Sequence, residues 1–347
     1  MTTTCSPFTR AVVQSMRALY PECLADKSFD NTGLLLEAPA VADEAIEQGH
    51  SVVVAYHPII FRGLKSITLA DSQQRTLLRL AAHGISVYSP HTAVDIVPGG
   101  MGDWLCDIVT GSEDEDEDGG GAIPADSGPA RYSALYHLSR NSIRQTERLP
   151  HTRSVITASP AADIDAANKL TLALAPKPWS SPLFTAANTG AGRLIRFARP
   201  QPLSELVGRI GRAIGKPKAI AVAVAQGTAA SLEEVQINTV AVCPGSGASV
   251  TSRACGDVVF TGEVSHHDAL AITERGGSVV TLFHSNSERG YLAAVMKPKL
   301  EATLTQVWAA ERAKLDEEAQ HGGLDDSVLV TVSERDRDPF GIAVLLE

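Results

Sequence analysis

The sequence predicts an α/β protein of two halves, each a mixed sheet flanked by helices. Three observations carry that expectation. The chain's 347 residues exceed one ordinary domain and suffice for about two lobes that each bury a core. Stretches with apolar residues at helical spacing alternate with short β-branched runs in both halves. Several of those runs stop abruptly at histidines, carboxylates or glycines, the pattern of buried strands that deliver polar groups at their C-terminal ends.

In the first half, Val12, Val13, Met16, Leu19 and Tyr20 mark a helix over residues 7–20, which Pro21 ends. A short apolar run, Gly33 to Leu36, follows. The helix-like VADEAIEQG then leads into a strand from Ser51 to Ala55 that stops at Tyr56-His57-Pro58. Residues 72–83 form a second helix with Leu77, Leu78, Leu80 and Ala81 on its apolar side and Gly84 as its C-terminal cap. A strand from Ile85 to Tyr88 then runs into Ser89-Pro90-His91-Thr92 and Asp95.

The expected division is a first α/β half over residues 1–111, an acidic glycine-rich disordered loop over 112–130, a structural insertion or lid over 131–195 and a second α/β half over 196–347. The loop carries Glu113-Asp114-Glu115-Asp116-Glu117-Asp118. The insertion holds a strand-like piece, Ser154 to Thr157, and a helix-like piece, Ala161 to Ala173. In the second half a helix from about Ser204 to Ile214 precedes strands over Ala219 to Ala225 and Val235 to Val242. The turn Pro244-Gly245-Ser246-Gly247 lacks the lysine of a phosphate loop. Asp257 to Phe260 is a strand, followed by the polar cluster Thr261 to Asp268, a helix to Arg275 and a strand from Ser278 to Phe283 that ends at His284. A turn opening a helix follows, with Glu288 in it. A long helix from about Leu300 to Gln320 and a last strand near Val328 to Val332 close the chain.

Composition narrows the function classes. The apolar share is 44% and the charged share 20%, which suits a globular protein and not a disordered one. No apolar run is long enough to cross a bilayer. The net charge is −10, and the single acidic run supplies more than half of it. No Lys/Arg-rich stripe is present, so direct nucleic-acid binding is not expected. Five cysteines without a C-x-x-C pair suggest neither a disulfide framework nor a thiolate zinc site. A reducing compartment follows: cytoplasmic, with mitochondrial or nuclear locations as alternatives. Arg10 and Arg17, in a stretch free of acids before Glu22, suit a weak transit peptide as well as a first amphipathic helix, and the helix is the favoured expectation.

His57, His91, Asp95, Glu263, His266, His267, His284 and Glu288 all fall at or just beyond apolar strand ends. Imidazole with carboxylate is the ligand set of Zn, Mn, Fe or Ni sites. At i and i+4, His284 and Glu288 share a face if their turn is helical, and both can then reach one ion. A carboxylate can bridge two ions, and a paired site can activate a water. For any single histidine the alternative is an imidazole hydrogen-bonded to nearby backbone. Spacing alone leaves both readings open.

The segments SFDNTGLLL, YHPIIFRGLKSIT, SPHTAVDIVPGGMGDWL, GAGRLIRF, TGEVSHHDAL, HSNSERGYL and SERDRDPF run from end to end of the chain. Through them it resembles the NGG-one-interacting-factor-three family, whose members are also described as type 2 homologues of GTP cyclohydrolase I. The resemblance implies a dinuclear metal centre between two α/β halves, with His57 and Asp95 as first-half ligands and His284 and Glu288 as second-half ligands. It also implies a ring-shaped homo-oligomer, commonly a hexamer. His91, His266 and His267 lie in the matched segments as substrate-facing or proton-handling groups. Two departures stand out. Tyr56 occupies the place of another histidine ligand in many bacterial relatives, and phenol is the poorer ligand at neutral pH, so the second of two divalent ions is expected to bind more weakly. After Glu37, Ala38-Pro39-Ala40 bridges directly where relatives insert a strand.

Two functions follow as expectations. One is a metal-dependent hydrolase, cyclohydrolase-like or phosphoesterase-like, acting through a metal-activated water on a small molecule. The other is a non-catalytic metal-binding protein that engages a protein partner, such as a transcriptional co-regulator.

Overall fold

The computed structural model describes residues 6–37, 49–111, 148–179, 181–214, 219–226, 231–254, 256–314 and 327–341. Residues 41–48 of the expected helix VADEAIEQG, the bridge Ala38-Pro39-Ala40 and the acidic run Glu113 to Asp118 lie outside them. The chain divides into two units. One comprises Met1–Val97, Ser159–Thr185 and Met296–Ser333, and the other Pro98–Ala158, Ala186–Val295 and Glu334–Glu347. Each is α/β with a mixed sheet flanked by helices.

The first unit starts with α1 (Pro7–Leu19). The Ser6 hydroxyl accepts from Thr9 N at 3.1 Å, and Pro7 opens the helix where its missing N–H costs nothing. Ala11, Val12, Met16 and Leu19 are buried, and Phe8 meets Trp308 edge-on with ring centroids 5.2 Å apart. Each fully buried Val, Leu or Met there contributes roughly 1.5–3 kcal/mol. Trp308 belongs to α10 (Lys297–Arg312). A further helix, α5 (Ala161–Leu174), packs on α1, and its Thr171 hydroxyl donates to the Ala18 carbonyl at 3.0 Å.

Among the described residues the first sheet has three strands in the order β1 (Gly33–Leu36), β3 (Ser86–Ser89), β2 (Val52–Val54). β1 is antiparallel to β3 and β2 is parallel to it. α2 (Ser72–Ala82) is capped by the Asp71 carboxylate, which accepts from Gln74 N at 2.9 Å, and it ends at Gly84, whose φ of +67° is the left-handed conformation of a C-terminal cap. Leu80 packs with Ile85 and Val87 against Leu36, Val53 and Ala55. The parallel pair β2 and β3 therefore ends on one edge. There β2 releases Tyr56 and His57, and β3 releases His91 and the short helix α3 (Thr92–Ile96) that carries Asp95.

In the second unit six strands lie in the order β4 (His151–Ala158), β5 (Gly190–Pro202), β7 (Gln236–Cys243), β8 (Val258–Thr261), β9 (Ser278–Thr281), β6 (Ala221–Ala223). β7, β8 and β9 are parallel; the remaining pairings are antiparallel. Alternation sorts their side chains. Val240, Val242, Val258, Phe260 and Val280 meet α4 (Met101–Thr110) and α6 (Leu203–Ala213) on one face. Val259 and Val279 meet Ile272 of α8 (His266–Glu274) on the other. The short α7 (Ala248–Thr251) follows β7. Arg193 of β5 is buried and anchors α4, with Nε 2.8 Å from Asp103 Oδ1.

Residues 131–195, expected as an insertion or lid, contribute β4, α5 and the start of β5 from their described part. The expected strand near Val328 to Val332 is corrected: it joins no ladder among the described residues, and Thr331 Oγ1 instead lies 2.9 Å from His50 Nε2. Apolar alternation there is too short to distinguish a strand from an extended segment. No described helix is long and apolar enough to cross a membrane.

Candidate metal centre

At the carboxyl edge of β2 and β3, aromatic rings crowd together. The Tyr56 and His57 centroids are 4.9 Å apart, Tyr56 and His91 5.5 Å, and His57 and His91 5.4 Å. Tyr56 is buried and its hydroxyl lies 2.7 Å from Asp95 Oδ1. The Tyr56 hydroxyl thus engages an oxygen of Asp95, one of the expected ligands. His57 is exposed.

His91 has a φ of +37°, a left-handed conformation that a non-glycine residue adopts at a cost, and its N–H donates to the Tyr56 carbonyl at 3.2 Å. Its Nδ1 lies 2.6 Å from Asp30 Oδ1. A carboxylate can only accept, so Nδ1 carries a proton, and in the neutral ring Nε2 is the nitrogen with the lone pair. Asp30 is almost fully enclosed and also accepts from the Thr92 hydroxyl at 2.5 Å and the Thr92 N–H at 3.2 Å. Burial alone would push the Asp30 carboxyl up, but the bonds from His91 and Thr92 together hold it below its ordinary value.

The parallel strands β7, β8 and β9 end on a common edge of the second unit, where Gly245, Glu263 and His284 emerge. A 3₁₀ turn, Ser285–Ser287, and α9 (Arg289–Tyr291) follow His284. This tight helical path brings His284 Nε2 to 3.6 Å from Glu288 Oε1, while His284 Nδ1 lies 2.8 Å from Glu263 Oε1. Two donors 3.6 Å apart suit one ion held at about 2.0–2.2 Å from each. A carboxylate behind the ligating imidazole is the usual means of fixing its tautomer and raising its basicity. Glu288 is buried, with 5% of its side chain exposed, against 36% for His284.

Gly245 keeps the approach to these donors open. A Cβ there would sit 2.7 Å from Glu288 Oε1 and 3.0 Å from His284 Nε2, and its φ of +58° favours glycine. Gly245 is itself fixed: its N–H donates to Ser287 Oγ at 2.9 Å, and its carbonyl accepts from Glu263 N at 3.0 Å. The residues present therefore fit a metal ion. Within the second unit His284 and Glu288 supply two such donors.

Of the other expected groups, His91 and Asp95 join the Tyr56 cluster. His266 and His267 stand exposed on the first turn of α8, their rings 5.6 Å apart. Sequence reasoning passed over Asp30 as a partner of His91. Its place in SFDNTGLLL was the available signal.

A family model described as Duf34/NIF3 (NGG1p interacting factor 3) matches residues 9–320. A protein named NIF3 homolog from Schizosaccharomyces pombe is 37% identical over 303 residues, which cover 82% of this chain and 86% of that one. NGG1-interacting factor 3 of Saccharomyces cerevisiae is 30% identical over 316 residues, covering 84% and 89%. Among solved structures, a Bacillus cereus protein related to NIF3 has a TM-score of 0.56 at 19% identity and covers 87% of this chain and 93% of its own. Reduced HcgD from Methanocaldococcus jannaschii has a TM-score of 0.52 at 18% identity, with 84% and 93% covered. At such identities the structural likeness speaks for the fold alone. The match over most of the sequence decides the family: the chain belongs to Duf34/NIF3 (NGG1p interacting factor 3).

Proposed function

We propose that this chain is a metal-dependent hydrolase in which His57, Asp95, His284 and Glu288 hold one or two divalent ions. The observation that carries the reading is the Glu263–His284–Glu288 arrangement, an imidazole backed by one carboxylate with its second nitrogen facing another, in front of a glycine that leaves room for an ion. Zn, Mn, Fe and Ni all suit such imidazole and carboxylate donors. When bound, the ion supplies a Lewis acid that polarises a substrate oxygen and lowers the pKa of water.

The chain's own residues supply the rest. Asp30 fixes the His91 tautomer, so that Nε2 can take up a proton or give one back. His266 and His267, exposed at the head of α8, are further proton handlers in this reading. Tyr56 engages Asp95 and weakens the second ion. The substrate is a phosphoester, an amide or a ring carbon of a purine-like molecule, and a homo-oligomer is the expected assembly. Assaying metal-loaded protein against nucleotides and phosphoesters tests the reading. Turnover that disappears in Glu288→Ala supports it, and turnover indifferent to that change contradicts it.

A second reading, a non-catalytic partner protein, draws on the name of the Saccharomyces cerevisiae relative, NGG1-interacting factor 3. Capture of a protein partner that survives Glu288→Ala and is lost on deleting Glu113 to Asp118 favours it over catalysis.

A further inference from the structure

The segment over residues 334–340 touches the residues that flank both second-unit donors. Arg289, next to Glu288, places Nε 2.8 Å from Asp336 Oδ2 and Nη2 3.1 Å from Asp336 Oδ1, a bidentate pair. Ser285, next to His284, donates to Asp338 Oδ2 from its N–H at 2.9 Å and from its hydroxyl at 2.8 Å. Phe283, on the other side of His284, has a φ of +68°, and its ring lies 6.3 Å from that of Phe340, tilted by 35°. The segment's own turn is closed by Phe340 N donating to Asp338 Oδ1 at 3.0 Å. Every second residue of the strap therefore meets one residue of the ligand loop, in antiparallel order: 336 with 289, 338 with 285, 340 with 283.

We infer that residues 334–340 are a positioning strap for the metal centre, with Asp336 and Asp338 setting the loop that presents His284 and Glu288. The inference rests on the metal reading above. Its physical basis is twofold. The Ser285 bonds fix the first residue of the 3₁₀ turn, and that turn determines the 3.6 Å separation of the two donors. The Asp336 pair neutralises Arg289, the cation adjacent to Glu288 in the chain, whose charge would otherwise oppose a divalent ion. Arg289 Nη1 also donates to Ser285 Oγ at 3.1 Å, which joins the two clamps into one network.

Co²⁺ binding by the full chain tests this, because Co²⁺ absorption in the visible reports ligand geometry as well as affinity. The strap predicts that Asp338→Ala weakens Co²⁺ binding about tenfold to a hundredfold, the range for outer partners of ligating groups, and alters the visible bands. Asp336→Ala acts in the same direction, and Asp338→Asn, which keeps an accepting oxygen, recovers part of the loss. A merely structural role would lower the melting temperature of the metal-free protein and leave affinity and bands of the folded fraction unchanged. That result overturns the strap. Should Asp338→Ala fail to fold, Asp336→Ala decides, since Asp336 is more than half exposed. A wild-type chain that takes up no Co²⁺ overturns the metal reading itself, and the strap's role with it. Wild-type binding with unaffected variants overturns the strap alone.

Discussion

Glu263 Oε1 lies 2.8 Å from His284 Nδ1, which leaves the other imidazole nitrogen pointed toward Glu288. The two partners are separated by all of α8 and all of β9, so the common edge of the parallel strands brings them together. Glu263→Ala removes the group that fixes the imidazole. Metal affinity, read by competition with a chromophoric chelator, is expected to fall about tenfold to a hundredfold, with an unchanged far-UV circular dichroism spectrum because about half of the Glu263 side chain is exposed.

Gly245→Ala is expected to be more severe. Its methyl group would meet Glu288 Oε1 at 2.7 Å, and the left-handed backbone adds strain of roughly 1–2 kcal/mol. The variant should lose metal uptake and melt at a lower temperature. Normal uptake at unchanged stability would contradict the tight cradle described above.

Tyr56 offers a test of gain. Replacing it with histidine removes the phenol from Asp95 and supplies an imidazole in its place. Tyr56→His should raise the metal bound per chain, whereas Tyr56→Phe, which removes the hydroxyl without adding a ligand, should not match it. Equal metal content in the two variants would show that Tyr56 does not set the occupancy.

Asp30 gives a pH signature. Its folded-state carboxyl is held below its ordinary value, because the bonds from His91 and Thr92 outweigh the burial that opposes them. A depressed carboxyl stabilises the fold above its unfolded value of about 3.9, and that contribution is lost as pH falls through the folded value. Asp30→Asn should therefore be destabilised by about 1–3 kcal/mol at neutral pH, with the gap to wild type closing below about pH 4. Urea denaturation across pH measures it, and a gap that widens on acidification would reverse the assignment.

The local features of the fold were legible in the sequence. The apolar spacing of α1 and α2, the cap at Gly84 and the polar residues past β2, β3 and β9 all follow from periodicity and from the stereochemistry of glycine. The i, i+4 spacing of His284 and Glu288 was legible too, because a single turn fixes it. What spacing could not reveal are pairs made across the fold. Asp30 and His91, Glu263 and His284, and Asp338 and Ser285 are each brought together by strand order or by a returning segment. The strand-forming role of His151–Ala158 was only partly visible, since this edge strand alternates between exposed and half-buried residues and carries little apolar signal.

Metal content tests the central claim most directly. Wild-type protein, dialysed against Zn²⁺, Mn²⁺, Fe²⁺ or Ni²⁺ and freed of loosely bound ions, is predicted to retain at least one of them in elemental analysis. Glu288→Ala and Asp95→Ala, still folded, should retain less. A wild-type chain that holds none of these metals, or variants that hold as much as wild type, would contradict the account.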